Sequence, residues 1–277
     1  MTINCKGNLI DLTKPKVMGI LNLTPDSFYD GGKYKDLDSI VFQVGRMLLE
    51  GATFIDVGAY SSRPNAQDIS IDQELARILP VVELLLKEFP EILLSIDTYR
   101  SRVAKECISL GASMINDISA GKLDGNMMPT IAEHHVPYIM MHLRGTPRTM
   151  QQQTSYDDLI GEILFYFSER VAVARSMGIN DLIIDPGFGF AKTLEQNYKL
   201  LQNLQLFKTL KVPILAGLSR KSMIYRLLDI DSDNALNGTT ALNMVALLQG
   251  ANILRVHDVK EALECIKLAE ALQQENL

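Results

Sequence analysis

Eight short runs of apolar, often β-branched residues recur along the chain, separated by stretches with helical period. The runs cover residues 17–24, 54–59, 93–98, 114–119, 138–143, 182–187, 213–219 and 253–258. Each reads as a strand buried on both faces, the pattern of a parallel sheet covered by helices. Helical period is clearest over 37–50, 71–89, 101–110, 155–177, 194–210, 234–249 and 259–274, and weaker over 126–135. Eight strands alternating with helices over about 250 residues predict an α/β fold, a (β/α)8 TIM barrel. A doubly wound sheet uses about five to seven strands and places a GxGxxG turn after its first strand. Here the first run ends in Asn22-Leu23-Thr24-Pro25-Asp26, without glycine. The opening segment, 3–12, reads as a hairpin around Lys6-Gly7-Asn8 that closes the barrel floor, and residues 1–277 read as a single domain.

Composition narrows the function. Lys and Arg number 27 against 33 Asp and Glu, a net charge of −6. That balance argues against a broad basic face, and so against a nucleic-acid or anionic-membrane binder. A small anionic substrate in a locally basic pocket remains open. No apolar run approaches the ~20 residues needed to span a bilayer. Cys5, Cys107 and Cys265 are odd in number and outside any CxxC pattern. A disulfide framework is not expected, and a cytoplasmic location is.

In such barrels the chemistry gathers where strands end. Here the ends carry Asn22, Asp56, Asp97, Asn116, Asp117, His142, Asp185, Ser219, Arg220, Lys221, Arg255, His257 and Asp258. Asp97, Asn116 and Asp185 offer carboxylates and an amide from three different strands. A carboxylate accepts two parallel N–H bonds, which suits a guanidine-like edge, so the set fits a planar nitrogen-rich heterocycle such as a pterin or a purine. A second set is cationic: Arg63, Arg220, Lys221, Arg255 and His257, with Arg144, Arg148 and Lys192 in nearby loops. In an acidic protein it implies a focused positive field for an anionic ligand.

The loops at 24–34 and 60–68 are long and rich in turn residues, as expected of lids. Phe188 and Phe190 stand on a glycine-flexed loop beside Asp185, where either can flank a flat substrate. His142 and His257 lack a ligand pattern such as HExxH, so an all-protein zinc site is not expected. Mg²⁺ carried in on a substrate phosphate and held by the Asn22 amide is consistent with the sequence.

These residues carry a resemblance. Met18-Gly19-Ile20-Leu21-Asn22-Leu23-Thr24-Pro25-Asp26-Ser27-Phe28, Ser62-Arg63-Pro64, Ser95-Ile96-Asp97-Thr98 and Ile115-Asn116-Asp117-Ile118 open it. Met141-His142, Gly145-Thr146-Pro147, Asp185-Pro186-Gly187-Phe188-Gly189-Phe190, Gly217-Leu218-Ser219-Arg220-Lys221-Ser222 and Arg255-Val256-His257-Asp258 continue it in order. Over nearly its whole length the chain resembles the dihydropteroate synthase family. The resemblance implies a cytoplasmic homodimer of folate biosynthesis. It would join 7,8-dihydropterin-6-ylmethyl diphosphate to p-aminobenzoate with release of pyrophosphate.

The same resemblance implies residue roles. Asp97, Asn116, Asp185, Lys221 and Arg255 would hold the pterin. Asn22 (through Mg²⁺), Arg63, Arg255 and His257 would meet the diphosphate. Phe28, Ser62, Pro64, Phe190, Lys221 and Ser222 would form the p-aminobenzoate pocket, which is also the sulfonamide target. Asp97, Lys221, Arg63, Arg255 and His257 would carry a dissociative substitution in which pyrophosphate leaves before the amine attacks. The chain departs from the family at Gly58-Ala59-Tyr60-Ser61-Ser62-Arg63-Pro64-Asn65, where Gly-Gly-Glu-Ser-Thr-Arg-Pro-Gly is frequent. Ala191 replaces a frequent Gly, and Leu143-Arg144 a commoner Met-Gln. Two alternatives are a corrinoid-linked methyltetrahydrofolate methyltransferase, which would share Asp97, Asn116 and Asp185 but needs no diphosphate site, and a non-catalytic pterin-binding paralogue.

Overall fold

The computed structural model describes residues 1–23, 33–60 and 69–273. The chain opens with antiparallel strands β1 (Thr2–Cys5) and β2 (Asn8–Asp11), paired Cys5 to Asn8 across a two-residue turn. Lys6 (φ 53°) and Gly7 (φ 84°) are both left-handed, as a tight hairpin turn that follows strand twist requires.

Eight parallel strands follow: β3 (Lys16–Asn22), β4 (Phe54–Gly58), β5 (Leu94–Asp97), β6 (Met114–Asp117), β7 (Tyr138–Met141), β8 (Leu182–Asp185), β9 (Leu215–Ala216) and β10 (Ile253–Val256). Their order is β8-β7-β6-β5-β4-β3-β10-β9, and a parallel bridge between Ile184 and Ile214 closes the ring. The expected barrel is therefore observed. β9 is shorter than the run at 213–219 suggests. Pro213 has no N–H to donate to the ladder, and Gly217 beyond it has no side chain to pack.

Helices cover the outside: α1 (Lys33–Leu49), α2 (Ile71–Glu88), α3 (Ser101–Leu110), α4 (Met127–His134), α5 (Leu159–Ser176), α6 (Leu194–Gln202), α7 (Ser222–Leu228), α8 (Leu236–Leu248) and α9 (Val259–Gln273). Capping boxes fix two starts, Ser70 with Gln73 for α2 and Thr193 with Gln196 for α6. The helical pattern at 194–210 is not one helix. It breaks at Asn203, whose amide donates to the Lys199 carbonyl at 2.8 Å, and continues as 3₁₀ turns over Leu204–Leu210. A side chain that bonds nearby backbone competes with helix propagation in this way. Among the described residues no helix is long and apolar enough to cross a membrane.

The two-residue period of the strands sorts their side chains. Met18, Phe54, Met114, Ile139, Ile183, Leu215 and Ile253 meet Ile3, Cys5 and Leu12 in a buried cluster. This is the barrel floor, sealed by the hairpin as the sequence implied. Their neighbours Val17, Ile55, Ile115, Tyr138, Ile184, Ala216 and Leu254 belong instead to the large cluster shared with the helices. Two residues beyond the floor, the same inward period gives Ile20, Asp56, Asn116, Met141, Asp185, Gly217 and Arg255. The interior thus changes from apolar to polar within one pleat repeat, toward the C-terminal ends of the strands.

Candidate active site

Arg255 is the hub of the polar layer. From β10 its Nε donates to Asp56 Oδ2 at 2.6 Å and its Nη2 to Asp97 Oδ2 at 2.7 Å. Asn116 Nδ2 donates to the same Asp56 oxygen at 3.0 Å. Asp97 and Asn116 are register partners on β5 and β6, so the two side chains stand at one height. The end of β5 is braced from α2: buried Glu74 accepts from Thr98 Oγ1 at 2.8 Å and from Arg100 Nη1 at 2.7 Å.

The loop after β8 forms the opposite wall. Asp185 Oδ1 accepts the Gly187 N–H at 2.8 Å, and the Phe188 carbonyl accepts from Lys221 Nζ at 2.5 Å. Lys221 Nζ lies 5.0 Å from the centre of the Phe190 ring. A Cβ on Gly217 would stand 3.7 Å from Lys221 Nζ and 3.9 Å from Asp185 Oδ2, so the two charged groups converge over a position without a side chain. Gly187 has φ 74° and approaches the His142 carbonyl so closely that a Cβ there would lie 2.3 Å from it. Beneath the loop, Lys192 is buried and donates to the Gly187 and Phe190 carbonyls, both at 3.0 Å, with His142 Nδ1 at 3.1 Å.

Burial dominates the electrostatics. It pushes the Asp97 carboxyl up to about 7, with Arg255 opposing and Asp56, Glu74 and Asp117 adding like charge. It raises Asp185 as well, against Lys221 and other cations. It draws the Lys221 ammonium down to about 8, opposed by Asp185 and Asp97 while Arg255 adds to the fall. Lys192 falls to about 7 for the same first reason, and His142 is held well below the ordinary imidazole range by burial and by Lys192. For Arg255, burial is outweighed by Asp56 and Asp97, which hold the guanidinium charged. Acceptors and cations thus face one space at strand height, which suits a flat heterocycle carrying an anionic arm.

The remaining expected residues divide three ways. Asn22 sits half-buried at the end of β3, level with Gly58, and Ser222 opens α7 just after Lys221. His257 follows β10 with its Nδ1 2.9 Å from Ser219 Oγ. Phe28, Ser62, Arg63 and Pro64 lie outside the described residues, as does most of both expected lids. Other candidates are engaged elsewhere. Arg220 forms a two-pronged pair with Asp258 at 2.8 and 2.9 Å, and Arg144 pairs with Glu162 while stacking over Tyr156. Asp117 accepts from Ser119, Gly121 and Tyr138 and so shapes its own loop. Phe188 packs in the core, leaving Phe190 as the aromatic at the mouth.

Asp56 appears among the strand-end polar residues expected at the mouth, yet no individual role for it follows from the sequence alone. Its signal was the pleat: it is the inward position two residues after the floor residue Phe54. Among the described residues no group of three or more His, Cys, Asp or Glu side chains is placed to hold a metal ion. The Asn22 amide is a single hard oxygen donor. That suits Mg²⁺ shared with phosphate oxygens and water.

The likeness to known proteins agrees with this geometry. The pterin binding enzyme family matches residues 18–257. The dihydropteroate synthase of Escherichia coli K12 is 44% identical over 273 residues, covering 98% of this chain and 96% of its own. The Yersinia pestis dihydropteroate synthase solved with a sulfonamide drug superposes with a TM-score of 0.92 at 42% identity, with 99% of each chain covered. The Xanthomonas albilineans dihydropteroate synthase in complex with 7,8-dihydropteroate gives 0.88 at 34% identity, again over 99% of each chain. The chain belongs to the pterin-binding enzymes and, within them, to the dihydropteroate synthases, transferases of folate biosynthesis.

Proposed function

We propose that this chain condenses 7,8-dihydropterin-6-ylmethyl diphosphate with p-aminobenzoate, giving 7,8-dihydropteroate and pyrophosphate. The observation that carries this reading is the convergence of Asp97, Asn116, Asp185, Lys221 and Arg255 at one end of the barrel. Asp97, Asp185 and the Asn116 amide accept from the N–H groups of the aminopyrimidine edge. Lys221, beside Asp185, donates to the ring, and the Arg255 guanidinium lies against its face, where a cation is favourable. Arg255, His257 and Arg63 draw the diphosphate. Phe28, Ser62, Pro64, Phe190 and Ser222, with Lys221, receive the aminobenzoate. Mg²⁺ held by Asn22 and the diphosphate would neutralise charge on the leaving group.

In the reaction the methylene C–O bond breaks and its electron pair leaves with pyrophosphate. The Asp97 carboxylate faces the cationic dihydropterin that remains. The aminobenzoate nitrogen then forms the C–N bond and loses a proton to solvent. No strong general base is needed, because the weakly basic aryl amine is uncharged near neutral pH. Arg255 and His257 favour this reading over methyl transfer to a corrinoid, which needs no diphosphate site.

Purified protein with Mg²⁺, the pterin diphosphate and p-aminobenzoate is expected to form dihydropteroate and pyrophosphate in equal amounts. Pterin binding without product would mark a non-catalytic paralogue and overturn the reading.

A homodimer in the cytoplasm completes the proposal. Leu227 and Leu228 of α7, Val245 and Leu248 of α8, and Leu268 and Leu272 of α9 are large exposed apolar side chains. Their shared side of the barrel supports an interface. Sedimentation equilibrium is expected to give twice the 30.9 kDa chain mass, and a monomer at working concentration would contradict it.

A further inference from the structure

The Asp56 side chain is fully buried, and one of its oxygens does two tasks. Oδ2 accepts from Arg255 Nε at 2.6 Å and from Asn116 Nδ2 at 3.0 Å. Oδ1 is buried with no partner among the described residues. In the register, Val57 pairs with Ile96, which places Gly58 level with Asp97 and Asp56 one inward position lower. Asp56 therefore stands one inward position below Asp97 and Asn116, and it reaches the mouth through its bonds to Asn116 and Arg255.

An ionised carboxylate only accepts hydrogen bonds. It forces the Asn116 amide to turn its NH₂ downward, so that Oδ1 is the end left to offer a ligand. We propose that Asp56 is a positioning residue that fixes the hydrogen-bonding sense of the heterocycle site, making Asn116 an acceptor alongside Asp97 and Asp185. A site lined by these three acceptors selects a donor-rich edge, the 2-amino pyrimidinone of a pterin, and rejects its 2-oxo counterpart. Without the carboxylate below, the Asn116 amide is free to rotate by half a turn and present N–H instead. The inference deepens the proposed function and rests on its pterin site.

Asp56 also acts on Asp97 as a like charge. The groups facing Asp97 are Arg255 of β10, Asp56 of β4, Glu74 of α2 and Asp117 of β6, with Lys221 across the mouth. Removing the Asp56 charge lowers the pH at which Asp97 ionises, and a freed Arg255 lowers it further.

The test is isothermal titration of wild type and Asp56→Asn with 6-hydroxymethylpterin and with 6-hydroxymethyl-lumazine, its 2-oxo analogue, across pH. The wild type is expected to prefer the 2-amino compound. In Asp56→Asn that preference shrinks by about 10- to 100-fold, the worth of a hydrogen bond to a charged group. The acid limb of pterin binding also moves to lower pH. A folded Asp56→Asn with wild-type preference and an unmoved acid limb overturns the inference and leaves the proposed function standing. Failure of the wild type to bind pterin overturns both. Should Asp56→Asn not fold, the ¹⁵N-labelled wild type carries the test. Its Asn116 side-chain NH₂ is expected to be protected from solvent exchange before ligand is added, and fast exchange there overturns the inference.

Discussion

Burial pushes the Asp97 carboxyl up to about 7 and draws the Lys221 ammonium down to about 8, so both charges are held at a cost to the free protein. A ligand that donates to Asp97 and accepts from Lys221 recovers that cost. The dependence of kcat/KM for the pterin diphosphate on pH reports the free enzyme. It is expected to fall on the acid side near 7 and on the alkaline side near 8. These limbs belong to the coupled cluster rather than to single groups. Lys221→Met should remove the alkaline limb from the pH profile of pterin binding, and an unchanged binding profile would remove Lys221 from the site. The sign for stability follows from the raised Asp97 value. The protonated carboxyl contributes fully below its unfolded value of about 4, and that contribution is lost as pH rises through about 7. Asp97→Asn, which cannot ionise, should therefore gain on wild type in urea unfolding as pH rises across that window. A constant difference would contradict the burial argument.

The loop after β8 shows how an element delivers these residues. Left-handed Gly187, Gly189 and Ala191 wind it so that buried Lys192 and half-buried Lys221 take its carbonyls. Gly187→Ala combines a left-handed Cβ, about 1–2 kcal/mol by itself, with the collision against the His142 carbonyl. Its unfolding free energy should drop by at least that much and pterin binding should be lost. Gly125→Ala, with no atom within 4 Å of the added Cβ, should stay within about 0.5 kcal/mol of wild type. Behaviour as mild for Gly187→Ala would show that the loop's winding is dispensable. The strand runs and the inward carboxylates of this wall were legible in the sequence, because a two-residue period and a strand end are local facts. The destinations of Arg144, Arg220 and Lys192 were not. Each depends on a partner well separated in sequence (Glu162, Asp258, His142) that only the packing of neighbouring strand–helix units brings near. Asp56 escaped for a related reason: its pairing with Arg255 spans 199 residues.

Across the whole molecule, the apolar floor holds the barrel together while the polar mouth does the chemistry, and one pleat repeat separates them. Ile3 of the hairpin is fully buried against the floor. Ile3→Ala should lower the unfolding free energy by about 2–5 kcal/mol and leave kcat/KM unchanged. A fall in activity without a fall in stability would mean that floor and mouth are coupled. The net charge of −6 conceals the same division, since the charges that matter are a handful at one end of the barrel. The central claim is that this end binds the pterin diphosphate and joins it to the aryl amine. The most direct measurement follows dihydropteroate and pyrophosphate formation by wild type, Asp97→Ala and Lys221→Ala in the presence of Mg²⁺. Equal yields of both products from wild type, with turnover abolished in both folded variants, is the predicted result. Near-wild-type turnover in either variant, or no dihydropteroate from wild type, would contradict the account.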